Sequence, residues 1–283
     1  MISRAPSGGL VLGAIASVQF GSALAATLFH RVGPDGAVTL RLVSAGIVLL
    51  LVWRPRVRGR STRELVLVGA FGVTLAGMNL SFYEALDRIP LGIAVTIEFV
   101  GPLAVAVAGS RRRIDFVWTF LAAAGIVALT HGGGRHLSGL GVGFALLAGS
   151  FWAGYILLNA RVGQAFSGGT GLALSMAVAA VLALPVGIAQ GGAQLLQPHA
   201  LVVGAAVGML SSAIPYSLEL EALRRIAAPV FGVLMSIEPA MAAVAGLIVL
   251  GQGLGLRAVA GIALVVLASI GASRGSGAAP VAV

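Results

Sequence analysis

Apolar runs of about twenty residues alternate with short polar stretches along the whole chain. Ten can be drawn, at residues 10–29, 36–53, 64–86, 90–109, 115–130, 139–158, 169–189, 200–223, 229–250 and 256–273. At ~1.5 Å rise per residue, about twenty residues cross a hydrocarbon core of ~30 Å. The runs are continuous, whereas barrel strands alternate over about ten residues. The pattern therefore predicts an all-α polytopic membrane protein with ten transmembrane helices.

Two of these runs carry a lone carboxylate near their middle. The fourth, Pro90 to Gly109, is apolar except for Glu98, with Pro102 four residues on. The ninth contains Ser236-Ile237-Glu238-Pro239. A charge near the bilayer midplane costs at least ~2.5–3.5 kcal/mol, so an intramembrane acid calls for a functional reason. Matched acids in the two halves point to a transporter built from repeats. A second match supports this: Glu84-Ala85-Leu86-Asp87-Arg88-Ile89 parallels Glu221-Ala222-Leu223-Arg224-Arg225-Ile226. Five helices per half is an odd number, so the second half enters from the opposite side, as an inverted repeat. The predicted organisation is a first repeat over 1–133, a second over 134–274 and a disordered cytoplasmic tail over 275–283. The glycine-rich stretch 131–136 serves as the hinge; it lacks the Gly-Lys-Ser/Thr ending of a phosphate loop.

Composition narrows the class. The chain is 58% hydrophobic and 10% charged over 283 residues, against roughly 25% charged in soluble domains. Its 41 glycines suit close helix packing in lipid. With no cysteine, disulfides, thiolate metal sites and cysteine nucleophiles are excluded together. The net charge of +9 comes from arginine alone, and most arginines fall in short loops, which reads as an orientation signal and not a nucleic-acid surface. With the N-terminus inside, thirteen arginines lie on the inner side and four on the outer, which predicts both termini in the cytoplasm. Arg4 with Ala23-Leu24-Ala25 has the form of a cleavable signal; the apolar runs that continue to the C-terminus favour an uncleaved first helix.

Candidate chemistry is sparse. Glu98 and Glu238 read as an amine-binding or proton-exchanging pair, since a buried carboxylate can cycle between charged and neutral forms. The bland alternative is a protonated Glu bonded to a neighbouring helix. Pro102 and Pro239 lack an N–H and leave carbonyls that could take an ammonium group. Arg41 could bind a substrate carboxylate, pair with an intramembrane Glu, or snorkel to the interface. Asn79 and Tyr83 share a helix face and line either a cavity or an interhelical contact. Gln19, Trp152, Tyr155, Asn159, Ser211, Ser212 and Tyr216 are further cavity candidates, and Glu219 stands at a cavity mouth or in a local ion pair. Glu84 with Arg88, and Glu221 with Arg224 or Arg225, are structural pairs. His30, His131, His136 and His199 fall in outer-side loops, where chance placement outweighs a metal or pH role. No nucleophile–base pair at matched depth marks an enzyme, and no cofactor or metal is implied.

These motifs resemble the EamA-type branch of the drug/metabolite transporter superfamily. The resembling stretches are Gly77-Met78-Asn79 with Phe82-Tyr83, Pro90 to Val95, Glu98-Phe99 with Gly101 to Ala106, Asp115 to Trp118, Pro215 to Glu219, and Glu238-Pro239-Ala240 with Ala242 to Val244. They span nearly the whole chain. The resemblance implies ten helices in two inverted five-helix repeats around a central cavity. Helices five and ten would be peripheral, at a homodimer contact if one forms. It also implies export of small amino acids of the threonine and homoserine type from the bacterial cytoplasm across the inner membrane, by proton antiport. Aromatic amino acids, drugs or other metabolites are the alternative cargo. One departure stands out: many relatives carry an acidic residue near the outer end of helix nine, where this chain has Leu250-Gly251-Gln252.

Overall fold

The structure is a computed structural model that describes residues 7–108, 114–131, 137–223, 231 and 234–275. The arginine triplet at 111–113, the glycine-rich stretch 132–136, Arg224 and Arg225, the second copy of the repeated motif beyond residue 223, and the tail after 275 lie outside the described residues. All regular structure among the described residues is helical. The first three helices are α1 (Ser7–Ala26), α2 (Phe29–Trp53) and α3 (Thr62–Arg88). A broken helix follows as α4 (Leu91–Glu98) and α5 (Val100–Ala108), then α6 (Ile114–His131), α7 (Gly139–Ala165) and α8 (Thr170–Gly191). Next come α9 (Pro198–Gly208), a π-turn at Met209–Ala213, α10 (Ile214–Leu223), α11 (Glu238–Leu250) and α12 (Leu256–Gly275). Among the described residues, six helical stretches are long and apolar enough to cross a membrane, and shorter apolar helices cover 91–105, 117–128, 238–250 and 256–271.

Local chemistry explains the boundaries. Ser61 and Glu64 close a capping box at the start of α3, with Ser61 N donating to Glu64 Oε2 at 2.8 Å; such a cap stabilises a helix by ~1 kcal/mol. The second apolar run begins earlier than the hydrophobic pattern predicts. α2 starts at Phe29 and bends at Gly33, whose φ of 71° and ψ of 169° leave the helical region. Pro34 then restarts the helix, and Gln190 Oε1 from α8 accepts from Asp35 N at 2.7 Å and Gly36 N at 3.3 Å. A side chain at position 33 would collide with Gln190 as well as strain the backbone. His30 and His199 therefore sit in the first turns of α2 and α9, not in loops.

The fourth run is not one helix. It breaks at Phe99, directly after Glu98, because Pro102 has no N–H to return to the carbonyl four residues back. α7 closes on this break: a Cβ on Gly149 would come within 2.5 Å of the Glu98 carbonyl oxygen. The eighth run is interrupted too, by the π-turn ahead of Pro215. Two carbonyls in that turn accept from side chains of other helices: Leu210 O from Ser17 Oγ at 2.6 Å and Ser211 O from Arg41 Nη2 at 3.1 Å.

The core is built from small side chains. Ala14, Ala23, Ala25, Ala45, Ala145, Ala148, Ala173, Ala179, Ala183, Ala242 and Ala245 are fully buried, which brings backbones together where no hydrophobic force acts between helices in lipid. Large apolar side chains such as Val52, Phe120, Leu247 and Ile248 point outward, as a lipid-facing belt requires. Packing pairs α2 with α8, α6 with α12 and α4 with α11. It also sets α3 on α7 and α1 on α10, α5 on α7 and α1 on α11, and α2 on α9 and α3 on α8. Match the first-half helices α1, α2, α3, α4–α5 and α6 with α7, α8, α9–α10, α11 and α12. Every contact in this set then maps onto itself or onto another.

Candidate transport site

The two acids occupy helix ends at mid-bundle. Glu98 is the last residue of α4 and Glu238 the first of α11, where Ile237 caps the helix and Pro239 holds its first turn. They are 8% and 6% exposed. Glu98 lies within Coulombic reach of both Glu238 and Arg41. A carboxylate at a helix N-terminus, as at Glu238, also meets the positive end of the helix dipole.

Arg41 does not snorkel. It is buried, and its guanidinium spans two helices, donating from Nη2 to Ser211 O at 3.1 Å and from Nη1 to the Tyr83 hydroxyl at 3.4 Å. Its cationic carbon stands 5.6 Å from the centre of the Tyr83 ring. Gln19 on α1 is buried and donates from Nε2 to Glu238 Oε1 at 3.0 Å. Asn79 is buried and donates to Leu75 O of its own helix at 2.8 Å. Five of the predicted residues, Glu98, Glu238, Arg41, Tyr83 and Gln19, thus share one electrostatic cluster, while Asn79 donates to its own helix backbone.

Trp152, Tyr155 and Tyr216 are half-buried, and Tyr216 borders the cluster, within Coulombic reach of Arg41 and Glu238. Trp152 meets Phe99 edge-on at 5.4 Å, and Tyr155 stacks obliquely on Phe71 at 5.3 Å. Tyr155, Tyr216 and the half-buried Glu219 lie within Coulombic reach of one another. Exposure thus grows toward the end of the bundle where α10 finishes beside the start of α1, marked by Ala222 packed with Leu10 and Val11. The opposite end is sealed above the acids. Tyr83 is fully buried with its ring 5.7 Å from that of Phe29 and 6.0 Å from that of Phe82, and Leu28 and Leu91 of the same core are fully buried too. Outside this seal a cavity of about 420 Å³ is lined by Ala26, Phe29, His30, Leu86, Asp87, Leu250 and Gln252. Gln252 Oε1 accepts from Leu91 N at 2.9 Å and so caps α4 from the other half of the chain.

Five buried polar atoms in this region have no hydrogen-bond partner among the described residues: Gln19 Oε1, Glu238 Oε2, Arg41 Nε, Ser211 Oγ and Ser212 Oγ. Two are pure acceptors, one is a pure donor and two are hydroxyls. Buried groups left unpaired in this way cost ~1–3 kcal/mol each. Gln19 Oε1 and Glu238 Oε2 belong to one bonded pair of side chains, whereas Ser211 Oγ packs against Gly21 of α1. Among the described residues no group of three or more His, Asp or Glu is placed to hold a metal ion.

The Glu84–Arg88 pair forms one turn apart on α3, and the Arg88 guanidinium also stacks on the Phe144 ring at 5.2 Å. The residues that sequence reasoning missed are those that act across halves. Ser17, Gln190 and Gln252 each reach a backbone group on a helix remote in sequence. A lone polar residue in or beside an apolar run was the available signal, but it names no partner.

Comparison with known proteins places this arrangement. The profile of the EamA-like transporter family matches residues 139–274. The threonine/homoserine exporter RhtA of Escherichia coli (strain K12) is 42% identical over 267 residues, covering 93% of this chain and 90% of its own length. The protein of the same description from Salmonella typhimurium (strain LT2) is 41% identical over the same coverage. A solved structure described as "Crystal structure of protein" is 17% identical, with a TM-score of 0.61 over 95% of this chain and 98% of its own, which shows the shared fold.

Proposed function

Because the chain belongs to the EamA-like transporter family, we propose that it exports small amino acids of the threonine and homoserine type. It would do so across the bacterial inner membrane in exchange for protons. The observation that carries this reading is the set of unpaired buried atoms around Arg41, Glu238 and Gln19, whose donors and acceptors complement a zwitterion. Relatives named as threonine/homoserine exporters at 42% identity supply the cargo class.

The ten-helix, inverted-repeat organisation is part of the same proposal, with repeats over 1–133 and 134–274. It is supported by the packing set that maps onto itself when the halves are exchanged, and by a family match that begins at 139 and ends at 274. The arginine distribution supports cytoplasmic termini. On that orientation the more exposed side of the site faces the cytoplasm and the aromatic seal faces outward, which is the loading state of an exporter. The exposed apolar faces of α6 and α12 meet lipid, and a second copy would dock there if the protein pairs.

Transport then follows from the geometry. A zwitterion enters past Glu219, Tyr216 and Tyr155. Its carboxylate takes the spare Nε of Arg41, and its ammonium meets the acid pair. The halves rock, the seal of Phe29, Tyr83 and Phe82 parts, and a proton from outside neutralises the carboxylate and frees the amine. Because Glu98 and Glu238 are coupled, their protons belong to the pair.

Efflux from cells preloaded with radiolabelled threonine or phenylalanine tests the reading. Threonine efflux that depends on the transporter and stops with a protonophore is expected. Transporter-dependent efflux of phenylalanine with none of threonine overturns the cargo assignment.

A further inference from the structure

The bond between Gln19 and Glu238 is made by one atom of each side chain, and what it leaves over is informative. Gln19 uses Nε2 and Glu238 uses Oε1, 3.0 Å apart. The remaining oxygens, Gln19 Oε1 and Glu238 Oε2, are both buried and both without a partner. Gln19 is 2% exposed and Glu238 6%. Resting on the amino-acid exporter reading above, we infer that Gln19 Oε1 and Glu238 Oε2 together seat the primary ammonium group of the substrate, and that Gln19 holds Glu238 turned so that this seat stays open.

Two free acceptors on a pair of bonded side chains can be satisfied by a group with several N–H donors and no acceptor of its own. A primary ammonium is that group. No side chain of the protein supplies one, because the chain contains no lysine. The buried Arg41 guanidinium donates to Tyr83 and the Ser211 carbonyl, and its spare Nε is the group given to the substrate carboxylate. Nor does the backbone offer a donor at the next position, since Pro239 has no N–H. The Glu238 end of the seat also lies at the start of α11, where Glu238 is the only acid of the first turn.

The two residues are 219 apart in sequence and belong to α1 and α11, helices that pack directly on each other. An ammonium bound there touches both halves of the chain. The assignment gives the two acids different work. Glu238, oriented by Gln19, contacts the amine, while Glu98 acts on it through charge.

The test uses the full-length protein in proteoliposomes, with counterflow of radiolabelled threonine as the readout and unlabelled analogues as competitors. In the wild type, N,N-dimethylthreonine is expected to compete at least about tenfold less well than threonine, because it keeps one N–H for two buried acceptors. Gln19→Met keeps the volume and removes the amide. It is expected to raise KM for threonine by about tenfold with little change in kcat, and to bring threonine and N,N-dimethylthreonine toward equal competition. Gln19→Glu, which keeps an oxygen acceptor, should restore part of the discrimination. A structural role would lower the amount of active protein or kcat and leave the analogue ratio unchanged; an unchanged ratio in Gln19→Met overturns the seat. Should that variant fail to insert, the wild type decides alone, since equal competition by N,N-dimethylthreonine is incompatible with the seat. Counterflow of neither amino acid by inserted wild type removes the exporter reading and this inference with it.

Discussion

Arg41→Lys is the substitution whose effect can be sized most directly. The guanidinium makes one sound hydrogen bond, to Ser211 O at 3.1 Å, and one long one, to the Tyr83 hydroxyl at 3.4 Å, with Nε left over. Bonds to a charged donor are worth ~1.5–3 kcal/mol, and the longer one falls at the weak end of the distance range. A lysine keeps the charge but is a point donor that cannot span two helices and present a third N–H to a carboxylate. It therefore loses the Ser211 bond or the substrate bond, about 1.5–3 kcal/mol, or roughly tenfold to a hundredfold in apparent affinity. Tyr83→Phe removes only the long bond, about 0.5–1 kcal/mol, or a few-fold. The assay is threonine counterflow in proteoliposomes, with KM and kcat measured for both single variants and the double. The expected order is Arg41→Lys well above Tyr83→Phe in KM. Wild-type KM in Arg41→Lys, or a larger effect from Tyr83→Phe, would refute the role given to the guanidinium fork.

Other outcomes follow from single contacts. Pro215→Ala returns an N–H to the turn that holds Ser211, giving its carbonyl an intrahelical partner in competition with Arg41; threonine transport should slow several-fold while protein level and monodispersity hold. Gln252→Ala strips the cap from Leu91 N, which should cost about 1 kcal/mol and lower the melting temperature of detergent-solubilised protein by roughly 2–4 °C. Gly149→Leu drives a side chain into the Glu98 carbonyl and should prevent recovery of folded protein, whereas Gly143→Leu, where the added atom meets open space, should be tolerated; size-exclusion profiles of the two separate the cases.

The hydrophobic pattern made the helical class legible, and the lone acids marked Glu98 and Glu238 because a carboxylate inside an apolar run is costly wherever the run is placed. The breaks were harder to read. Twenty apolar residues around Glu98 look like one span, yet Pro102 and the close approach of Gly149 divide them at Phe99. The start of the second helix moved seven residues toward the N-terminus because Gly33 and Pro34 bend the chain without ending its helical course. Pairings across the halves could not be read at all. Gln19 with Glu238, Gln190 with Asp35 and Gln252 with Leu91 are contacts over more than 150 positions, and nothing in one local window specifies a partner that distant. The helical spacing of Asn79 and Tyr83 did not reveal that the Asn79 amide bonds to the turn behind it.

The central claim is that the acid pair exchanges protons for an amino acid. Inverted membrane vesicles, which expose the cytoplasmic face, test it with an imposed acid-inside gradient and radiolabelled threonine outside. Wild type should accumulate threonine above equilibrium, and the double variant Glu98→Gln, Glu238→Gln should take it up only to equilibrium and ignore the gradient. Gradient-driven accumulation by the double variant would contradict the account.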